Sequence, residues 1–323
     1  MLDIYGLYKK VPGGMILIPM VLFAIINTLF PNLWTSLGDM SQALFKSGTL
    51  AFAALILFGT GASLNLKTLG ETLKRGGSLA IMKLLIGFVF GFAFIHFFGL
   101  DGIWGINAVA FVACITSANP GTFMGIIQDY GEGADMGNFA LLNVITTPAV
   151  PLLILSAGAG DISSSLLGIV SVLLPFVLGV ILGNLDPKLS KIYGAVTPIA
   201  LPFMGCCFGS SINLISAVQA GLAGVLLAVI YLILHLPMLA TDKFINHRPG
   251  YCSVAMCSVA GIALVVPTMV SSLGETYAAY AESSLSQIAM CLLITNIVSP
   301  FLCRLTVKLW GCPKIPKDGA SAQ

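Results

Sequence analysis

Charge is what this chain has least of. Only 9% of its 323 residues are Asp, Glu, Lys or Arg, while 57% are hydrophobic and the mean hydropathy is +0.99; soluble domains carry about 25% charged residues. That scarcity excludes a soluble globular fold. The 13 acidic residues fall in loops or at the ends of apolar runs, so no carboxylate stands ready at mid-membrane to carry a coupling proton. The eight cysteines show neither CxxC nor Cys/His ligand spacing; most, including the adjacent Cys206 and Cys207, lie inside apolar runs and read as small packing residues. His96, His235 and His247 lack an acidic or Cys partner within a helical turn, which speaks against a membrane-embedded enzyme. The first apolar run has no small-residue cleavage site and is expected to be retained. A net charge of +2 gives no basis for nucleic-acid binding, and no cofactor or metal is implied.

What the chain does have is long apolar runs. Crossing a bilayer takes roughly 20 apolar residues as a helix, with every backbone polar group bonded inside the segment. Ten runs meet that description: Val11–Phe30, Thr49–Leu66, Gly76–Phe98, Gly102–Gln128, Met136–Ala157, Ser164–Leu185, Tyr193–Leu214, Gly221–Thr241, Tyr251–Ser272 and Leu285–Val307. They predict an all-α, multi-pass membrane protein with short connections. Its partner is the lipid bilayer, and the oligomeric state is not readable.

Basic residues orient it. Lys9, Lys10, Lys67, Lys74, Arg75, Lys188, Lys191, Lys243, Arg248, Arg304, Lys308, Lys314 and Lys317 fall on one side, Lys46 alone on the other, and Lys83 inside the third run completes the 15. The positive-inside rule then puts both termini in the cytoplasm. GASLNL (61–66) closes the second run and GSSINL (209–214) the seventh, so the two near-copies run in opposite directions. Pro120 and Pro267 echo each other as PGT and PT, each expected to interrupt the fourth run of its half. Such features predict two inverted five-helix repeats, 1–157 and 158–310, with a cytoplasmic tail 311–323. Inverted repeats with interrupted helices point to a secondary transporter binding near the membrane midplane. A sensor or structural membrane protein is the alternative.

The chemistry is expected at TSANPGTF (116–123). Pro120 and Gly121 should break the helix, and a restarted half-helix offers N–H groups and a partial positive charge to an anion. Asn119, Gly121 and Thr122 are placed to cap that end and meet a carboxylate; Thr116 and Ser117 offer hydroxyls to sugar oxygens or a small cation. In the ninth run Gly261 and Pro267 loosen the helix, making Ser258 and Thr268 the counterparts, with back-bonding of a hydroxyl to its own helix as the competing role. Asn143, Thr146 and Thr147 before Pro148, and Thr295 and Asn296 before Pro300, flank the breaks and serve either helix ties or ligand contacts. Lys83 either snorkels to the interface, pairs with Asp242 or meets the substrate carboxylate. His235 reads as a hydrogen-bonded core residue that can titrate near neutrality. Asn65 and Asn213 are expected to cap the ends of the helices they close.

KVPGGMILIP (10–19), Lys83, QDYG (128–131), GNLDP (183–187), Asp242-Lys243 and TNIVSP (295–300) together resemble the 2-keto-3-deoxygluconate permease family, within the bile-acid:sodium symporter-like superfamily, over most of the chain. The resemblance implies import of a small sugar-acid anion across the bacterial inner membrane, usually by proton symport. It also implies a panel of helices 1, 2, 6 and 7 and a core of the other six, in which broken helices 4 and 9 cross. The chain is a divergent member. Where the family pattern has acidic residues three places before the fourth-helix Asn and just ahead of the fifth-helix proline, Thr116 and Ile145 stand here. That leaves a related organic anion, sodium coupling or an uncoupled carrier open.

Overall fold

The computed structural model describes Gly6 and residues 14–158, 162–211 and 214–315. Along the chain run α1 (Gly14–Leu29), α2 (Thr49–Ala62), α3 (Leu66–Phe98), α4 (Ala108–Ile115), α5 (Pro120–Tyr130), α6 (Asn138–Ile145), α7 (Ala149–Gly158) and α8 (Ile162–Leu185). They are followed by α9 (Pro187–Gly194), α10 (Val196–Gly209), α11 (Leu214–Leu234), α12 (Leu236–Ala240), α13 (Tyr251–Ala255), α14 (Val266–Leu273) and α15 (Ala281–Trp310). Among the described residues there is no β-strand, only isolated bridges at Ile103–Ile106 and Cys312–Ile315.

Six helical stretches among the described residues are long and apolar enough to cross a membrane: Gly76–Phe98, Ala108–Tyr130, Leu141–Gly158, Pro187–Gly209, Gly221–Ile245 and Ala281–Trp310. Asp39–Ser47 and Thr49–Ala62, bent by 60°, make a seventh if taken together. The first, sixth and ninth expected runs carry the shorter apolar helices Gly14–Leu29, Leu173–Leu185 and Gly261–Ser271. Lys9 to Gly13, Ile212, Asn213 and the tail from Pro316, with Lys317, lie outside the described residues.

Short polar side chains decide where helices begin. Asn65, Asn107, Asn119 and Asp186 each accept from backbone N–H groups at the first turn of α3, α4, α5 and α9, and Pro120 and Pro187 follow two of them, where a missing N–H costs nothing. This corrects one expectation: Asn65 caps the start of α3, not the end of α2. Because of that cap, the charged stretch Lys67–Arg75 is the first part of a 33-residue helix rather than a connection.

Two breaks also differ from expectation. Pro267 does not interrupt its helix but sits in the first turn of α14, where proline is tolerated; the chain unwinds earlier, over 256–260, and a 3-10 turn at Gly261–Val265 leads into α14. A further interruption divides α6 from α7 at Thr146–Pro148. There proline withholds an N–H from the carbonyl of Val144, four residues back.

Helices α1, α2, α8 and α10 pack chiefly on one another, as α10 on α1 and on α2 and as α2 on α8; α3, α4, α6, α7, α11, α13 and α15 form a second packed group. Glycine makes the first group close. A methyl on Gly61 would strike the Phe176 carbonyl of α8, and one on Gly209 the Met20 carbonyl of α1, while Gly179, Gly183 and Gly205 are pressed against carbonyls in the same way. The first residue of GASLNL and the first of GSSINL therefore do the same job on different neighbours. Asn184 of GNLDP ties this group at one end, accepting from Leu66 N at 3.0 Å and donating to Leu64 O at 2.8 Å. At the other end of the molecule Tyr280 donates to Asp101 at 2.6 Å, and that carboxylate holds the phenol pKa above its ordinary value.

Gly61→Ala is expected to destabilise the detergent-solubilised protein by ~1–3 kcal/mol through overpacking, read as a fall in thermal midpoint. Gly77→Ala, whose methyl meets open space, is expected to leave the midpoint unchanged or slightly raised. Equal shifts for the two variants would contradict the close backbone contact.

Candidate functional site

The two unwound segments, 116–119 and 256–260, meet in the interior. Asn119 N donates to Ser258 O at 2.7 Å, and Ala260 N donates to Ser117 Oγ at 2.9 Å. Thr295 Oγ1 on α15 accepts from Val259 N at 3.1 Å and donates to Cys291 O at 2.8 Å. These three freed amides thus find oxygens, as an apolar interior demands.

Asn296 is the hub of the crossing. Its Nδ2 donates to Val259 O at 2.8 Å and to Leu292 O of its own helix at 2.8 Å. Its Oδ1 accepts from Asn119 Nδ2 at 2.8 Å and from the Thr122 hydroxyl. With Asn296 1% exposed, one amide side chain links α15, the second unwound segment and the start of α5. Among the described residues Ser258 Oγ is buried without a hydrogen-bond partner.

The expected free amino end of α5 is already occupied. Asn119 Oδ1 accepts from Gly121 N at 3.0 Å and Thr122 N at 3.3 Å, and Asn119 O accepts from Phe123 N at 3.0 Å. The reason is local: an Asn directly before Pro in an extended conformation, φ −93°, ψ 107°, carries its carboxamide back over the first turn. What this end offers an anion is therefore the helix's positive field and whatever the Asn119 side chain can yield.

A cavity of about 670 Å³ opens beside this end, between the two helix groups. Asn119, Gly121, Thr122, Asn143, Thr146 and Thr147, all named from the sequence, line it. From the other helix group come Thr60 of α2 and Thr197 of α10. Sequence reasoning passed over this pair because it treated their helices as packing elements; two hydroxyls within otherwise apolar runs were the available signal. No charged side chain lines the cavity among the described residues.

The remaining expected residues stand away from the wall. Thr116 and Ser117 are buried behind it, and the Thr116 hydroxyl bonds back to Val112 O at 2.8 Å. Ser258 and Asn296 lie in the crossing, and Thr268 sits half-buried on α14. Asn143 and Thr146 both spend a donor on their own helix, at Phe139 O and Leu142 O, which leaves the Thr146 hydroxyl as an acceptor and Asn143 with one further N–H and its carbonyl oxygen.

Lys83 neither snorkels nor pairs with Asp242. It is 1% exposed, with Nζ 2.5 Å from His235 Nε2 and 3.4 Å from Tyr231 OH. Asp242 is held elsewhere, accepting from Asn246 Nδ2 and Ser253 N, both at 3.1 Å. Close by in the same set of helix ends, Asp135 accepts from Tyr251 OH at 2.7 Å and pairs with Arg248 at 3.9 Å.

Residues 6–311 match the family model described as 2-keto-3-deoxygluconate permease. The chain is 32% identical over 321 residues to the protein of that name from Enterobacter sp. (strain 638), covering 98% of this chain and 96% of that one. It is 33% identical over 306 residues to the one from Pectobacterium carotovorum subsp. carotovorum (strain PC1), covering 93% and 95%. With 2-keto-3-deoxygluconate permease 1 of Salmonella typhimurium it shares 32% over 295 residues, covering 91% and 92%.

Asn296→Ala strips Asn119 and Thr122 of their acceptor and Val259 O of its donor, and is expected to cost at least ~2 kcal/mol. Thr268→Val, outside this network, is expected to change stability by less than ~0.5 kcal/mol. Thermal unfolding of both variants in one detergent checks the pair; a smaller loss at Asn296 than at Thr268 would sink the hub assignment.

Proposed function

Because the chain belongs to the 2-keto-3-deoxygluconate permease family, we propose that it imports 2-keto-3-deoxygluconate or a close sugar-acid relative across the bacterial inner membrane by cation symport with alternating access. The chain is a multi-pass membrane transporter. The observation that carries the finer reading is the cavity: an uncharged hollow between two helix groups, with hydroxyl and amide side chains set among apolar ones, ending on the amino terminus of a half-helix. A sugar acid needs a positive field for its carboxylate and paired donors and acceptors for its hydroxyls. The α5 terminus supplies the first, and Asn119, Thr122, Asn143, Thr146, Thr60 and Thr197 the second.

In this reading the ten expected runs form two inverted repeats. The group α1, α2, α8 and α10 is the panel against which the rest moves. The way the two unwound segments bond to each other supports the crossing of broken helices, and the matched roles of Gly61 and Gly209 support the repeat. Both termini face the cytoplasm.

The same topology assigns a state. Gly14 and Ile16 begin α1, Thr197 and Leu201 begin α10, Ile56 and Thr60 end α2, and Phe139 and Asn143 begin α6. Under the positive-inside assignment every one of these ends is cytoplasmic. The cavity is thus the inward-facing vestibule.

Uptake of labelled 2-keto-3-deoxygluconate into proteoliposomes, under an imposed proton or sodium gradient, tests the function. Uptake is expected to be driven by the proton gradient and to fall about tenfold or more in Thr122→Val, a loss of ~1.4 kcal/mol or more of binding. Absence of uptake for every sugar acid tried would overturn the substrate assignment, and drive by sodium alone would replace the coupling ion.

A further inference from the structure

We infer that Lys83 and His235 form the proton-binding site of this transporter, a dyad of two basic side chains doing what a buried carboxylate would otherwise do. The inference rests on the transport reading above and names the residues that carry its coupling ion.

The geometry fixes which nitrogen is which. His235 Nδ1 lies 2.6 Å from Tyr231 O, and a carbonyl can only accept, so Nδ1 carries the hydrogen. Nε2 is then bare in the neutral ring, and it faces Lys83 Nζ at 2.5 Å. Both side chains are 1% exposed. Two cations in contact within a desolvated core repel each other, so the dyad holds one proton beyond its neutral form, never two. The other titratable groups facing the ammonium are Tyr231 on α11, Cys114 on α4, Cys257 in the second unwound segment and Cys291 on α15. Among the described residues no carboxylate faces it. The added proton is therefore a buried positive charge with no fixed counter-charge, a costly state until an anion comes near.

The dyad is wired to the crossing. Tyr231 OH receives from Lys83 and donates to Ser117 O at 3.0 Å; Ser117 Oγ accepts from Ala260 N, and Ala260 lines the cavity. A sugar-acid anion in the cavity raises the proton affinity of the dyad, and by linkage protonation raises the affinity for the anion by the same factor. A hydronium ion gives its proton to the dyad and leaves as water; on the far side the proton returns to water as the anion departs. The loaded carrier is neutral at the centre of the membrane, and the empty carrier is neutral too.

Calorimetric titration of the full chain in detergent with 2-keto-3-deoxygluconate, in buffers of different ionisation enthalpy, counts protons taken up per substrate bound. The wild type is expected to take up about one proton where the dyad is neutral at the start. Lys83→Met is expected to bind with that uptake lost and with an affinity no longer dependent on pH. Lys83→Arg, whose guanidinium does not release its proton, covers the case in which Lys83→Met fails to fold, and is likewise expected to bind without uptake. Wild-type uptake retained in either variant overturns the dyad. If the wild type itself binds no sugar acid, the substrate reading has failed, and a difference titration of substrate-free wild type minus Lys83→Arg decides separately: one missing titrating proton supports the dyad, superimposable curves overturn it.

Discussion

Two helices unwind at the centre of this chain, and the amides and carbonyls so freed have no water to bond in hydrocarbon. An unmet buried group costs about 1–3 kcal/mol, more than a satisfied bond gains, so the unwound segments persist only because short polar side chains meet them. Asn119 turns back on α5, Ser117 takes Ala260 N, Thr295 takes Val259 N, and Asn296 holds Val259 O while accepting from Asn119 and Thr122. These groups belong to the two unwound segments and to α5 and α15, so the broken parts brace each other. The cavity beside them meets this network at Asn119, which both repairs the backbone and lines the wall, and at Thr122, which lines the wall and bonds to Asn296.

The two helix groups are held by different means. Inside the second, polar side chains link helices at named points, as Tyr277 OH does on Leu155 O at 3.0 Å and Ser299 Oγ on Val254 O at 3.0 Å. Inside the first, contact is close and mainly steric, with glycines against carbonyls of the neighbouring helix. In lipid, where no hydrophobic drive separates helix from bilayer, close backbone approach at small residues is an effective way to hold a bundle. It suits the proposed role of this group as one body against which the rest moves.

The membrane class, most helix positions and the break at Asn119-Pro120 were legible from composition and punctuation. Pro and Asn act within a turn of themselves, and local rules reach that far. Of the two residues expected to loosen the ninth run, Gly261 adjoins the unwinding at 256–260 and Pro267 does not, because that unwinding depends on partners from 116–119 and α15, far along the chain. Thr60 and Thr197 were missed for the same reason: a hydroxyl in an apolar helix says nothing of what it faces until the helices are docked. Asn296 was named with its role left open between tie and ligand. Its bonds make it a tie first, and the cavity is felt through the Asn119 and Thr122 it holds.

A carrier must release what it binds, and that sets a limit on charge. A fixed lysine on the wall of a desolvated cavity would form an ion pair several times stronger than in water, holding a sugar acid on the side where it should be let go. Here the wall is neutral among the described residues, and the buried ammonium of Lys83 is linked to it through Tyr231 and Ser117. Under the proposed sharing of a proton with His235, a charge placed behind the wall is one that can be withdrawn when the anion leaves. On this arrangement the attraction for the substrate is tied to the presence of the proton rather than built permanently into the protein, which is what separates a coupled carrier from a trap.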